Sequence, residues 1–180
     1  TIIATWGKEP LAMVYEGAEI YESFKKQFDL LWDQEVFTYH GWKEIDNIIR
    51  SNLEEGYVHD VYGANYGDGS EKEREFILNL YTEYHKKTAY LKPKKRLIFF
   101  EKDRKNSEKE MSQLDSTTKE NVNLKYLSNE YFAPMETHVF NDKVILIFSF
   151  GEPIATMYKN PKIVEAYRKQ FELGWKTAIK

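Results

Sequence analysis

From residue 40 onward, short alternating or continuous apolar runs are separated by longer stretches in which apolar residues recur every three or four positions. The first period fits strands and the second helices. Trp42, Ile45, Ile48, Ile49 and Leu53 predict a helix with Gly56 as its C′ residue. Residues 57–64 alternate as a strand, 65–69 form a glycine-containing loop, and Ser70 with Glu73 makes a capping box. That box opens a helix to about Lys87 carrying Phe76, Leu80 and Tyr84. After a turn around Pro93, residues 96–101 read as a buried strand. Residues 102–121 hold only Met111 and Leu114 as large apolar residues, and predict an exposed connection with one weak helix and solvated charges. Strands follow over 123–127, 136–140, 144–150 and 154–158, with a loop over 128–134 and a turn at Asn141-Asp142. Asn160 stands as N-cap and Pro161 at the first position of a closing helix to about Ala178. Ile163, Tyr167, Phe171 and Trp175 form one aromatic-rich stripe on it, expected to pack on the sheet. This order predicts an α/β fold, a mixed β-sheet with helices on its faces.

The closing unit occurs twice. Residues 9–32 register against 152–175 without a gap, with 11 of 24 positions identical at a constant offset of 143. Leu11/Ile154, Phe24/Tyr167, Lys25/Arg168 and Asp29/Glu172 exchange like for like. The pattern predicts a strand-strand-helix repeat over 1–36 packed on a main domain over 37–180, together one compact unit, with Trp32 and Trp175 buried at equivalent places. Such a unit cannot cover both its strand edges and its helix stripe alone, so it must pack on the main sheet or on another chain. Two equivalent units favour a homodimer; the alternative is that the copies satisfy each other within one chain. Residues 34–41 read as the fading end of the first helix and a connector.

Composition narrows the partners. Twenty-six basic and 29 acidic residues give a net charge of −3, an ordinary mixed surface without the footprint of a nucleic-acid binder. Cysteine is absent, which removes disulfides, thiolate nucleophiles and thiolate metal sites. The longest apolar run, 144–150, is far too short to span a bilayer, and no signal-peptide pattern opens the chain. The expectation is a cytoplasmic protein without membrane contact. Because the chain opens in a strand, it is expected to be part of a longer protein.

Little in the pattern carries catalytic chemistry. His40, His59, His85 and His138 lack metal-ligand spacing, and no cofactor is implied. Ser149 lacks the preceding glycine of a nucleophile elbow, and the loop over 63–69 lacks the lysine of a phosphate loop. One cluster remains at predicted strand ends: His59, Tyr62 and Asn65, then Arg96, then Glu136 and His138. Strand ends at a switch in sheet order form the usual crevice, and these groups suit a small polar ligand such as a sugar; the plain alternative is a solvated rim.

A histidine on a strand, a strand pair, Glu-Pro, a strand and a helix reading EAYRKQFELGW resemble the second part of a phospholipase D-like domain. The helix to Gly56, strand VHDVYGA, helix with EYHKK and strand RLIFF follow the same course, so the resemblance covers roughly residues 40–180. It is greatest to the non-catalytic version fused to winged helix-turn-helix domains in archaeal transcription regulators of the sugar-responsive TrmB type. The family motif is H-x-K-x4-D. With His138 in the histidine place, Phe140 takes the lysine place and Ile145 the aspartate place, and neither replacement stabilises charge on a phosphoryl group. The resemblance thus implies a non-enzymatic effector-binding or dimerisation module, reaching DNA only through a domain absent from this chain. A phosphodiesterase or nuclease with a degenerate site, and an assembly scaffold, are the alternatives.

Overall fold

The computed structural model describes residues 2–5, 11–14, 17–19, 21–22, 25–26, 36–67, 69–149 and 151–180. The chain divides into two compact units, Thr1–Glu35 and Val36–Lys180. In the first, β1 (Ile2–Thr5) and β2 (Leu11–Val14) pair antiparallel, and Ala18, Glu19, Tyr21, Glu22, Lys25 and Lys26 are helical. Trp32 and the stripe positions Ile20, Phe24 and Phe28 lie outside the described residues.

The second unit carries a seven-stranded mixed sheet. Its strands are β3 (Val36–His40), β4 (Val58–Ala64), β5 (Lys94–Phe100), β6 (Val122–Leu127), β7 (Glu136–Val139), β8 (Val144–Phe148) and β9 (Ile154–Tyr158). Their spatial order is β3-β9-β8-β7-β4-β5-β6; β4-β5 and β5-β6 are parallel and the other pairs antiparallel. The helices are α1 (Gly41–Arg50), α2 (Glu71–Thr88), α3 (Arg104–Ser112), α4 (Ser116–Glu120) and α5 (Pro161–Thr177). Period-two alternation sorts the core into two layers. Ile145, Ile147, Ala155 and Met157 meet Ile45, Ile48 and Ile49 of α1, while Val61, Leu97 and Phe99 meet Ile77 and Leu78 of α2. On the other face Ile98 and Phe100 meet Phe171 of α5, and Val139, Val144 and Leu146 meet Val164.

The repeat is one of register as well as sequence. Ile2↔Val14 and Thr5↔Leu11 pair in the first hairpin, and their equivalents 143 residues on, Ile145↔Met157 and Phe148↔Ile154, pair in the same way.

Several expectations need correction. The connector before Gly41 contains β3, an edge strand on β9 with alternate residues exposed. Helix α1 ends at Arg50, with Ser51 as its cap, so Gly56 is a left-handed turn residue beyond it and no C′ position. Phe76 is exposed on α2, whose buried stripe is Ile77, Leu78, Thr82, Tyr84, His85 and Thr88. Trp175 is half-buried: it stacks on Phe171 at 5.7 Å and is covered by the Lys125 ammonium at 4.9 Å. The charged stretch after β5 is solvated along most of its length but is more than one weak helix. It forms α3 and α4 and buries Asp103, Ser107, Glu110, Leu114 and Thr118.

Candidate functional site

Alternation divides the six predicted site residues. His59 and Val61 of β4 face the α2 layer, whereas Asp60 and Tyr62 face α5. On β5, Lys95 faces α2 and Arg96 faces α5. Arg96 makes a two-pronged hydrogen bond to Asp60 at 2.7 and 2.8 Å and a third, at 2.7 Å, to Glu172. Its guanidinium lies 4.8 Å over the Phe171 ring. Hydrogen bonding to Asp60 raises the Arg96 pKa, so this group is a fixed cation that fastens α5 to the sheet. Tyr62 packs in the α5 core beside Ile98 and Phe100. Neither residue joins the other four.

Those four, His59, Asn65, Glu136 and His138, line one buried cavity with Val61, Ala64, Tyr81, Tyr84, His85, Leu97, Phe99 and Glu110. Asn65 reaches it because β4 bulges at Gly63, whose φ of +75° and 2.9 Å approach to the Met135 carbonyl exclude a side chain. The cavity offers ≈ 20 Å³, room for about one water. The sugar-sized ligand expected at these residues does not fit it.

The polar groups form a continuous run. The Tyr57 and Tyr84 hydroxyls are 2.8 Å apart, and Tyr84 lies 3.0 Å from His59 Nδ1. His59 Nε2 lies 3.0 Å from His138 Nδ1, and His138 Nε2 3.0 Å from Glu136 Oε2, which also accepts from the Tyr81 hydroxyl at 2.9 Å. With both rings neutral, one assignment satisfies every link: Tyr57 donates to Tyr84, Tyr84 to His59, His59 to His138, and His138 to Glu136. Burial, reinforced by the neighbouring His138 and Lys95, holds the His59 pKa well below its ordinary value, in keeping with a neutral ring. Burial and the Glu136 charge push the Tyr81 hydroxyl well above its ordinary pKa, so it remains a donor.

A second run enters from α2, β5 and α3. Lys95 Nζ donates to Thr88 Oγ1 at 2.8 Å and lies 3.0 Å from His85 Nδ1, while Tyr66 donates to Glu110 Oε2 at 2.5 Å. Burial brings the Lys95 pKa down to about 7 and also lowers that of His85. Lys95, Glu110 and Tyr66 carry no signal in the sequence, and His85 stands out there only as one of four histidines without metal-ligand spacing. Asp103, Ser107, Glu110 and Leu114 do recur at helical spacing, but a mostly polar stripe is invisible to a search for apolar ones.

The motif positions are equally committed. His138 is 1% exposed, both its ring nitrogens are hydrogen-bonded, and Ile145 is its cross-strand partner. A frame three residues on, Asn141-x-Lys143-x4-Phe148, also has the H-x-K-x4-D spacing and keeps the lysine. Lys143 is buried, however, and donates to the Ser51 and Ile48 carbonyls at 2.6 and 3.2 Å, where a cation complements the C-terminal end of α1. Asn141 Oδ1 accepts from the Val58 amide at 3.2 Å. Among the described residues no group of three or more His, Asp or Glu is placed to hold a metal, and no helix is long and apolar enough to cross a membrane.

No protein-family model and no curated protein matches the chain. Solved structures share its fold. TrmBL2, an archaeal chromatin protein whose structure shows a novel mode of DNA binding, superposes with a TM-score of 0.50 at 11% identity over 90% of this chain. This chain spans 64% of that protein. Nuc from Salmonella typhimurium, a phospholipase D family member, superposes with a TM-score of 0.52 at 12% identity over 80% of this chain and 97% of its own. The relationship is a distant one of fold.

Proposed function

We propose that this chain is a non-catalytic phospholipase D-like module of a transcription regulator, acting through association and touching DNA only through a domain outside these residues. The observation that carries the reading is the state of His138. A phospho-histidine intermediate needs an imidazole nitrogen open to a phosphodiester and a cation for the transferred oxygens. His138 has no open nitrogen, Phe140 supplies no charge, and in the shifted frame Asn141 is no nucleophile while Lys143 is tied to α1. The fold shared with TrmBL2 supports the regulatory side of the reading, and the water-sized cavity favours association over sensing of a sugar at this site.

The test is hydrolysis of bis-p-nitrophenyl phosphate and of DNA by the purified chain beside its His138→Ala and Lys143→Ala variants. Rates equal to buffer in all three are expected. Turnover by the parent chain that either substitution abolishes restores the phosphodiesterase alternative.

A further inference from the structure

The two polar runs end on one cavity from different elements, and both end on a carboxylate. Glu136 on β7 and Glu110 on α3 are each 1% exposed and both line the cavity. One oxygen of each carboxylate already has its donors. Tyr81 and His138 converge on Glu136 Oε2, and Tyr66 on Glu110 Oε2. Asn65 donates one amide hydrogen to the Gly63 carbonyl, and its oxygen accepts from the Gly67 amide and Ser149 hydroxyl. What remains is one oxygen on each carboxylate, Glu110 Oε1 and Glu136 Oε1, buried without a hydrogen bond. His85 Nε2 stands 3.3 Å from Glu110 Oε1, within ion-pair range but without hydrogen-bond geometry. Leaving a buried carboxylate oxygen without a donor is strongly unfavourable.

Size and chemistry restrict the missing group. The ≈ 20 Å³ of room admits one water-sized species. Both unpaired oxygens are acceptors, so the species must donate at least two hydrogens, which excludes anions. Two carboxylates are too few to strip a divalent cation of its water shell. The cavity lining holds two acidic side chains, Glu110 and Glu136, and no lysine or arginine, so a monocation suits it as well as a water does. We propose that this cavity is a binding site for one water-sized hydrogen-bond donor, a water molecule or the ammonium ion of similar size, bridging Glu110 Oε1 and Glu136 Oε1. The ligand joins the two runs into one network spanning β4, β7, α2, α3 and β5. The inference does not rest on the proposed regulatory role.

Thermal unfolding of the intact chain in ammonium, potassium and sodium chloride at equal ionic strength separates the two sources, together with water-¹⁷O relaxation dispersion for long-lived internal water. An ammonium-specific rise in Tm of at least ~2 °C, lost in Glu136→Gln or Glu110→Gln, identifies ammonium. A Tm indifferent to the cation, with a long-lived water whose relaxation contribution is lost in those variants, identifies water. An ammonium effect or long-lived water that survives both substitutions places the ligand elsewhere and overturns the proposal. So does finding neither in the parent chain, a measurement that stands even where a variant fails to fold.

Discussion

Lys95 shows how closely the polar interior is tied to stability. Its ammonium is 1% exposed, is hydrogen-bonded to Thr88 and lies 4.2 Å over the Tyr84 ring, and burial holds its pKa to about 7 against an ordinary 10.5. Between those values the unfolded chain binds the proton more tightly than the folded one. Stability is therefore expected to rise with pH from about 7 to 9, by up to ~1.4 kcal/mol per unit from this group. Urea unfolding at pH 7 and 9 should show that rise, and Lys95→Met should flatten it; a parent chain equally stable at both contradicts the assignment. On the acid side, burial lowers His59 and His85, so their contribution is lost as pH falls below about 6.5. Asp103, raised by burial to about 6, works in the opposite direction between about 6 and 4. Asp60, also raised by burial, adds to Asp103, so the loss predicted is that of the histidines as pH falls from about 6.5 to 6, before Asp103 titrates. Residue-scale chemistry was partly legible in sequence. That Tyr62 lies opposite His59 follows from their odd spacing on a strand, whereas burial of Glu110 depends on α3 packing over the cavity, which no local pattern encodes.

Elements announced by local chemistry stand where their residues predict. Ser70 Oγ accepts from the Glu73 amide, and Asn160 Oδ1 accepts from the Lys162 and Ile163 amides with Pro161 at the first helical position. Asn160→Ala is expected to cost about 1 kcal/mol, read from the urea midpoint at constant m-value. The bulge at Gly63 has a larger role, because it turns Ala64 and Asn65 toward the cavity. Gly63→Ala would place a methyl group 2.9 Å from the Met135 carbonyl at a φ of +75°. The expected loss is roughly 1–3 kcal/mol, and a neutral result contradicts the bulge. Strand β3 is not legible in the sequence for a physical reason: at a sheet edge only Phe37 and Tyr39 are part-covered, so its alternation is shallow and its identity comes from pairing with β9.

At the scale of the molecule, the sequence pattern is enough to expect a mixed sheet covered on both faces, and the repeat at offset 143 is matched by identical hairpin register. Homodimerisation belongs with the proposed function: sedimentation at micromolar concentration is expected to give a species of twice the 21.4 kDa chain, whereas a concentration-independent monomer contradicts it. The proposed function requires the histidine in the motif to be interior structure, closed to a substrate. Burial separates the four histidines, since His40 is exposed while His59, His85 and His138 are buried. Carbethoxylation of the native protein, followed by peptide mass mapping, tests this directly. Modification of His40 well before the other three is the predicted result; modification of His138 at the rate of His40 would contradict the account.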